Sequence, residues 1–332
     1  MKFHFEFDIK KLEPSINHHH KLFLIGSCFT ENIGEKFKQH KFSVLENPNG
    51  ILFNPVSVAE ALINIIQHKQ YTATDLFELN ETWHSWQHHS RYSGTTAQNT
   101  INKINNSIKT AHEYLKQADY LFITLGSAWV YTLTDKATNA KAGTVAANNH
   151  KAPADWFDKR LMNPAQVEAV LGTMLDQLGG FNKNIKVIFT ISPVRHLREG
   201  VINNNRSKAV LIQAVHGLIE KLSKLYYFPA YELVIDDLRD YRFYAEDLVH
   251  PNYAATEYVW SKLTDAYINN QTKELMKHIA EINIAYKHKP FNPLTQQHKK
   301  FLNTYFEKTK HLQEKYPHIN FEEEINYFNA SH

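Results

Sequence analysis

Four short apolar runs, most with helically spaced sequence between them, restrict this chain's architecture more than any other feature. They are residues 22–25 in "KLFLIGSCFTENIG", "YLFITLG" ending at Gly126, "IKVIFTISP" ending at Pro193 and "YELVIDDL" ending at Leu238. Each is rich in branched or aromatic side chains and stops at Gly, Ser-Pro or Asp, the pattern of strands buried on both faces. Helical spacing occupies residues 56–68, 100–116, 164–178 and 207–224. Pro55 and Pro164 each follow an Asn that can cap a helix, and Gly179-Gly180 is expected to close the third helix. Alternating strands and helices imply an α/β fold: a three-layer α/β/α sandwich around a parallel sheet. Right-handed crossovers then gather the C-terminal ends of the strands on one edge, where sites form in such folds.

The 332 residues fit an α/β domain with an appendage as well as two equal domains, and a change of character near residue 270 favours a domain over residues 1–270 followed by a helical extension, residues 271–332. Beyond position 273 the sequence is polar and helix-like, with a break at "KPFNP" and a second charged helix reaching Lys315. This extension is expected to act as a packing arm or an oligomer contact. A net charge of +3, a pI near 8.6 and scattered Lys and Arg give no support for nucleic acid as a partner. One cysteine, Cys28, excludes an internal disulfide framework. The charged, alternating "MKFHFEFDIKKLEP" lacks the apolar core of a secretory signal, and no run is long enough to insert into a membrane. A cytoplasmic protein is the expectation.

The corner "GSCF" carries two nucleophile-capable side chains. A serine after a parallel strand and before a helix sits where backbone N–H groups and the helix dipole favour negative charge, although Gly-Ser is also ordinary turn chemistry. Thr30 is expected to help cap a helix starting near Glu31. Cys28 reads as a packing residue. A serine nucleophile needs a base, and the base needs an orienting group. "FYAEDLVHPNYAATEYVW" offers both, because Asp247 and His250 are three apart and fall on one side of a turn.

Together, "GSCFTENIG" and "DLVHPN" resemble the GSCFA-domain family, a branch related to the SGNH or GDSL hydrolases. "NPNGILFNP", "LGSAWVY", "ISPVRH" and "FPAYELVIDDLRDYRFYAEDLVHPN" extend the resemblance over roughly residues 22–267. It implies an SGNH-like sheet of flavodoxin-like order and the hydrolysis of acyl esters on sugars, lipids or small molecules, with no cofactor. Ser27 matches the nucleophile, whose own N–H would serve the oxyanion hole. Asp247 and His250 match the orienting acid and the base, and Gly50 matches the second oxyanion glycine. The usual Gly-x-Asn-Asp block departs here: Gly126 is followed by Ser127, Ala128 and Trp129, so the Asn donor is missing.

"WHSWQHHSRYSG" offers His88 and His89 as replacement donors or substrate contacts. His84 and His88, four apart, also raise a metal reading, but no matched carboxylate or Cys accompanies them, and no metal is expected. Arg195 and His196 can bind a substrate anion or serve a loop paired with Asp236, Asp237 or Asp240. Trp129 and Tyr131 can line an acyl or sugar pocket or join the core. Three functions stay open: an ester hydrolase of the O-deacetylase or esterase type acting on an acylated carbohydrate or small ester, an acyltransferase using the same residues, and a scaffold that binds carbohydrate or protein without turnover.

Overall fold

The computed structural model describes residues 5–329. In chain order its elements begin β1 (Lys21–Gly26), α1 (Cys28–Gln39), β2 (Ser43–Glu46), α2 (Pro55–Ile66), β3 (Phe77–Leu79), β4 (Thr82–His84) and α3 (Ala97–Lys116). They continue with β5 (Tyr120–Leu125), β6 (Trp129–Leu133), β7 (Phe157–Leu161), α4 (Pro164–Phe181), β8 (Lys186–Ile191), α5 (Gly200–Lys221), β9 (Leu225–Tyr227) and the short α6 (Ala230–Glu232). The last elements are α7 (Tyr253–Tyr267), α8 (Asn270–Lys287), α9 (Gln296–Lys315) and α10 (Glu322–Asn329).

Five strands form one sheet in the order β2-β1-β5-β8-β9, every pair parallel. Numbered among themselves the strands run 2-1-3-4-5, the flavodoxin-like order. Alternation along each strand sorts its side chains into two layers. Phe23, Ile25, Leu121, Ile123, Val187 and Phe189 face a core shared with α2, α4 and α5. Leu22, Leu24, Phe122 and Ile188 face a second core with α1 and α7. Each such side chain, fully buried, contributes roughly 1.5–3 kcal/mol. The result is the expected three-layer α/β/α sandwich. Two antiparallel hairpins, β3–β4 and β6–β7, stand outside the sheet.

Three local expectations need correction. "YELVIDDL" is not a strand: α6 passes into a π-helical turn over Leu233–Leu238, and the edge strand is β9, just upstream. The buried positions Leu233, Val234 and Asp237, with Ala230 just before the run, recur at helical spacing, and Pro229 with the paired aspartates disfavours a ladder. α4 runs through Gly179 and Gly180 and stops at Asn182, whose side-chain amide donates to Leu115 O (3.0 Å) and Ala118 O (2.8 Å). α1 starts at Cys28, so Ser27, not Thr30, is its N-cap residue.

The caps at Asn54 and Asn163 form as expected, accepting from Ser57 N and Gln166 N. Beyond residue 270, α8, α9 and α10 build a core of their own around Leu275, Ile279, Leu302, Leu312 and Phe328. This unit touches the sheet domain through Asn283, which donates to Gln39 O (2.6 Å), and through the Lys41–Glu324 ion pair (2.8 Å). Among the described residues no helix is long and apolar enough to cross a membrane.

Candidate active site

Gly26 ends β1 with φ +142°, and a Cβ there would lie 2.1 Å from Thr124 O, so only glycine fits this approach to β5. The next residue, Ser27, is fully buried. An N-cap serine ordinarily accepts from the second or third helical N–H, a bond worth about 0.5–2 kcal/mol. Here Thr30 N–H donates to the Ser27 main-chain oxygen instead (2.9 Å), and Ser27 Oγ has no hydrogen-bond partner. The hydroxyl at the strand–helix corner is therefore available for another use. The adjacent Cys28 packs partly against the α1–α7 core, and burial raises its thiol pKa, which suits a packing residue.

Asp247 and His250 lie between the π-helical turn and α7. His250 Nδ1 pairs with Asp247 Oδ2 at 2.7 Å, while Asp247 Oδ1 accepts from Val249 N–H (2.9 Å) and His250 N–H (3.0 Å). Those bonds to His250 and Val249 hold the carboxyl down at about 2. Nδ1 is thereby committed to the acid, which leaves Nε2 as the ring's other nitrogen. Both side chains are about half exposed, in contrast to Ser27. Arg195 N–H donates to Val249 O (3.2 Å), and its guanidinium donates to Leu248 O (2.8 Å), which ties this loop to the end of β8. No hydrogen bond joins Ser27 Oγ to His250.

The remaining expected donors are arranged differently. Ser27 N–H donates to Thr124 O (3.1 Å) and Gly50 N–H to Asn47 O (2.7 Å), so both backbone groups assigned to an oxyanion hole are engaged within the protein. Gly50, at φ +76°, makes a tight turn against His89; a Cβ would come within 2.3 Å of His89 Cβ. His89 is thus a backing residue for that turn, with Nδ1 accepting from Arg91 N–H (3.2 Å). His88 does not fit the donor role proposed for it. It is buried, with Nε2 against the Asn49 amide (3.1 Å) and Nδ1 against Ser85 Oγ (3.0 Å), and burial lowers its pKa to about 3. His84 pairs with Ser93 Oγ (2.7 Å) and Leu79 O (3.3 Å). Among the described residues no three His, Cys, Asp or Glu side chains converge as a metal ion would need.

A cleft of about 440 Å³ opens beside the end of β5, between the β6–β7 hairpin, the chain near Asn149 and the segment after β8. Phe53, Trp129, Tyr131 and His196 line it, with Arg198 stacked over Tyr131 at 5.1 Å. Arg195 stands apart from it, its guanidinium over Tyr244 at 4.1 Å. One residue escaped the sequence reading. Lys208 of α5 is fully buried and donates to Gly126 O (2.7 Å) and Ser192 O (2.6 Å), tying the ends of β5 and β8 together. Burial lowers its pKa to about 7. The signal was present: Lys208 falls in register with Leu211, Val215 and Leu218 on the buried face of α5.

A comparison with curated proteins returned no match. Three solved structures are similar at 11% identity. A carbohydrate esterase family 3 protein from Talaromyces cellulolyticus has a TM-score of 0.37 over 79% of this chain and 99% of its own. An acetyl esterase mutant with an acetate ion has 0.36 over the same shares. An acetyl xylan esterase from the rumen bacterium Butyrivibrio proteoclasticus has 0.38 over 75% of this chain and 63% of its own. Residues 279–331 match the C-terminal domain of GSCFA domain proteins, and residues 21–263 match the GSCFA family, to which the chain therefore belongs.

Proposed function

We propose that the protein is a serine-dependent acyl ester hydrolase in which Ser27 is the nucleophile, His250 the general base and acid, and Asp247 the group that orients and stabilises the imidazolium. The observation that carries this reading is the unpartnered Ser27 hydroxyl at the N-terminus of α1, with the bonded Asp247–His250 pair after the last sheet strand. Ser27 Oγ bonds to the ester carbonyl carbon while its proton passes to His250 Nε2 and the carbonyl electron pair moves onto oxygen. Collapse of that intermediate expels the alcohol, which takes the proton from His250. Water then releases the acid from the acyl-enzyme by the same sequence. The missing Ser27–His250 hydrogen bond is compatible with this chemistry, because such contacts commonly tighten only in the substrate complex.

Since Ser27 is fully buried, an ester carbonyl reaches it only when neighbouring side chains move aside. The cleft beside Gly126 would hold the rest of the substrate, its aromatic walls and amide groups suiting an acylated carbohydrate or another small acyl ester. An acyltransferase would use the same residues with an alcohol in place of water. The engaged N–H groups of Ser27 and Gly50 favour a second reading, a scaffold that binds its ligand without turnover. Hydrolysis of p-nitrophenyl acetate separates the two. Turnover abolished by Ser27→Ala and by His250→Ala supports the hydrolase, and turnover unchanged in either variant refutes the assignment.

A further inference from the structure

The loop that follows β5 has no free donor for an oxyanion. Gly126 N–H and Ser127 N–H both donate to Phe53 O (2.8 and 3.0 Å), and Ala128 N–H donates to Ser207 Oγ (2.7 Å). Trp129 N–H donates to Ser127 Oγ (3.1 Å). Ala128 itself lies in the core. A donor-capable ring nitrogen beside this loop lacks a partner: His196 Nε2, which is buried and makes no hydrogen bond. An orphaned buried polar atom is destabilising, a cost removed when a bound group meets it.

Resting on the ester-hydrolase reading, we propose that His196 supplies the missing oxyanion donor, its Nε2–H aimed at the space over Gly126 where the substrate carbonyl oxygen gains charge. Position supports this. A Cβ on residue 126 would fall 2.8 Å from His196 Nε2 and 3.3 Å from Phe53 Cδ1, so the bare glycine leaves room there. Gly126 lies one residue past β5, and β5 pairs with β1 through Thr124 and Gly26, beside Ser27. Asn204 Oδ1 accepts from the His196 backbone N–H (2.9 Å), which fixes the main chain there, and the ring of Phe53 packs edge-to-face on the imidazole at 4.9 Å.

His196 also lines the cleft, so its ring borders both the proposed reacting carbonyl and the rest of the substrate. The charged or titratable groups that bear on it are Lys208 and His250. Burial, with repulsion from those two, holds its pKa at about 3, so at neutral pH it is an uncharged donor and does not compete with His250 for the serine proton.

His196→Phe keeps the ring and its contact with Phe53 but removes the donor, whereas His196→Gln keeps an N–H. For p-nitrophenyl acetate, His196→Phe should lower kcat about 100–1000-fold, leave KM within about threefold and leave the thermal midpoint nearly unchanged. His196→Gln should recover at least about tenfold of the lost kcat. Gly126→Ala, which crowds Nε2 while His196 stays in place, should lower kcat in the same direction. The proposal is overturned if His196→Phe retains wild-type kcat, if its loss lies wholly in KM, or if Gln is as slow as Phe. Ser27→Ala run alongside separates the two claims. Turnover surviving Ser27→Ala sinks the hydrolase reading itself, and turnover lost there but kept in His196→Phe sinks only the donor role.

Discussion

Two groups of histidines in this chain differ in what their ring nitrogens do. In the β3–β4 region, His84 and His88 each have both nitrogens bonded within the protein, and His88 holds Asn49 beneath the Gly50 turn. At the end of the sheet, His196 keeps a buried Nε2 without a partner, and His250 commits only Nδ1, to Asp247. The first group is denser in sequence and looks more like a site. The second has the hydrogen-bonding capacity that a reaction can use. Clustering in sequence is therefore a poorer guide to chemistry here than unused donors and acceptors in space.

Removing the residues that work with the second group should have the largest effect. Ser27→Ala is expected to reduce esterase kcat on the order of 10⁴–10⁶-fold, read by initial rates with the fold checked by circular dichroism. Asp247→Asn should follow at about 10³-fold, because the His250 tautomer loses its anchor. A loss confined to KM would instead make Asp247 a substrate contact.

The first group should appear in stability. Burial holds His88 at about 3 and the neighbouring His150, whose ring lies 4.5 Å from that of His84, at about 4, below the 6.5 of an exposed imidazole, so the unfolded chain binds the extra protons. Their contribution is fully present above pH 6.5 and is lost as pH falls through that value toward 4. The expected slope is up to roughly 1.4 kcal/mol per pH unit for each histidine, measurable by urea unfolding between pH 7 and about pH 4. A flat profile would show that these rings are hydrated. The smallest effect is that of His88→Phe, which strands the Asn49 amide and Ser85 hydroxyl and should cost ~1–3 kcal/mol of stability. Its kcat should stay close to wild type, and a large kcat loss at unchanged stability would erase the distinction between the two groups.

Much of the fold was legible because strands buried on both faces read as continuous apolar runs. β1, β5 and β8 announced themselves in that way. β2 and β9 did not, being short edge strands of partly buried residues. "YELVIDDL" misled because a brief apolar run suits helix and strand alike until its buried positions are known. The Ser27, Asp247 and His250 assignments came from motif spacing and family likeness. The donors did not follow from sequence, since backbone N–H groups such as that of Gly50 find their acceptors only through the loop's actual path. Lys208 was overlooked because a lysine inside an apolar helix face is normally solvated.

Whether the unpartnered Ser27 hydroxyl is an activated nucleophile decides between hydrolase and scaffold. Treating the protein with a fluorophosphonate probe and locating the adduct by peptide mass spectrometry tests it directly. A single adduct on Ser27 is expected, formed much more slowly in His250→Ala. Absence of an adduct, or one on another residue with Ser27 unmodified, would contradict the nucleophile assignment.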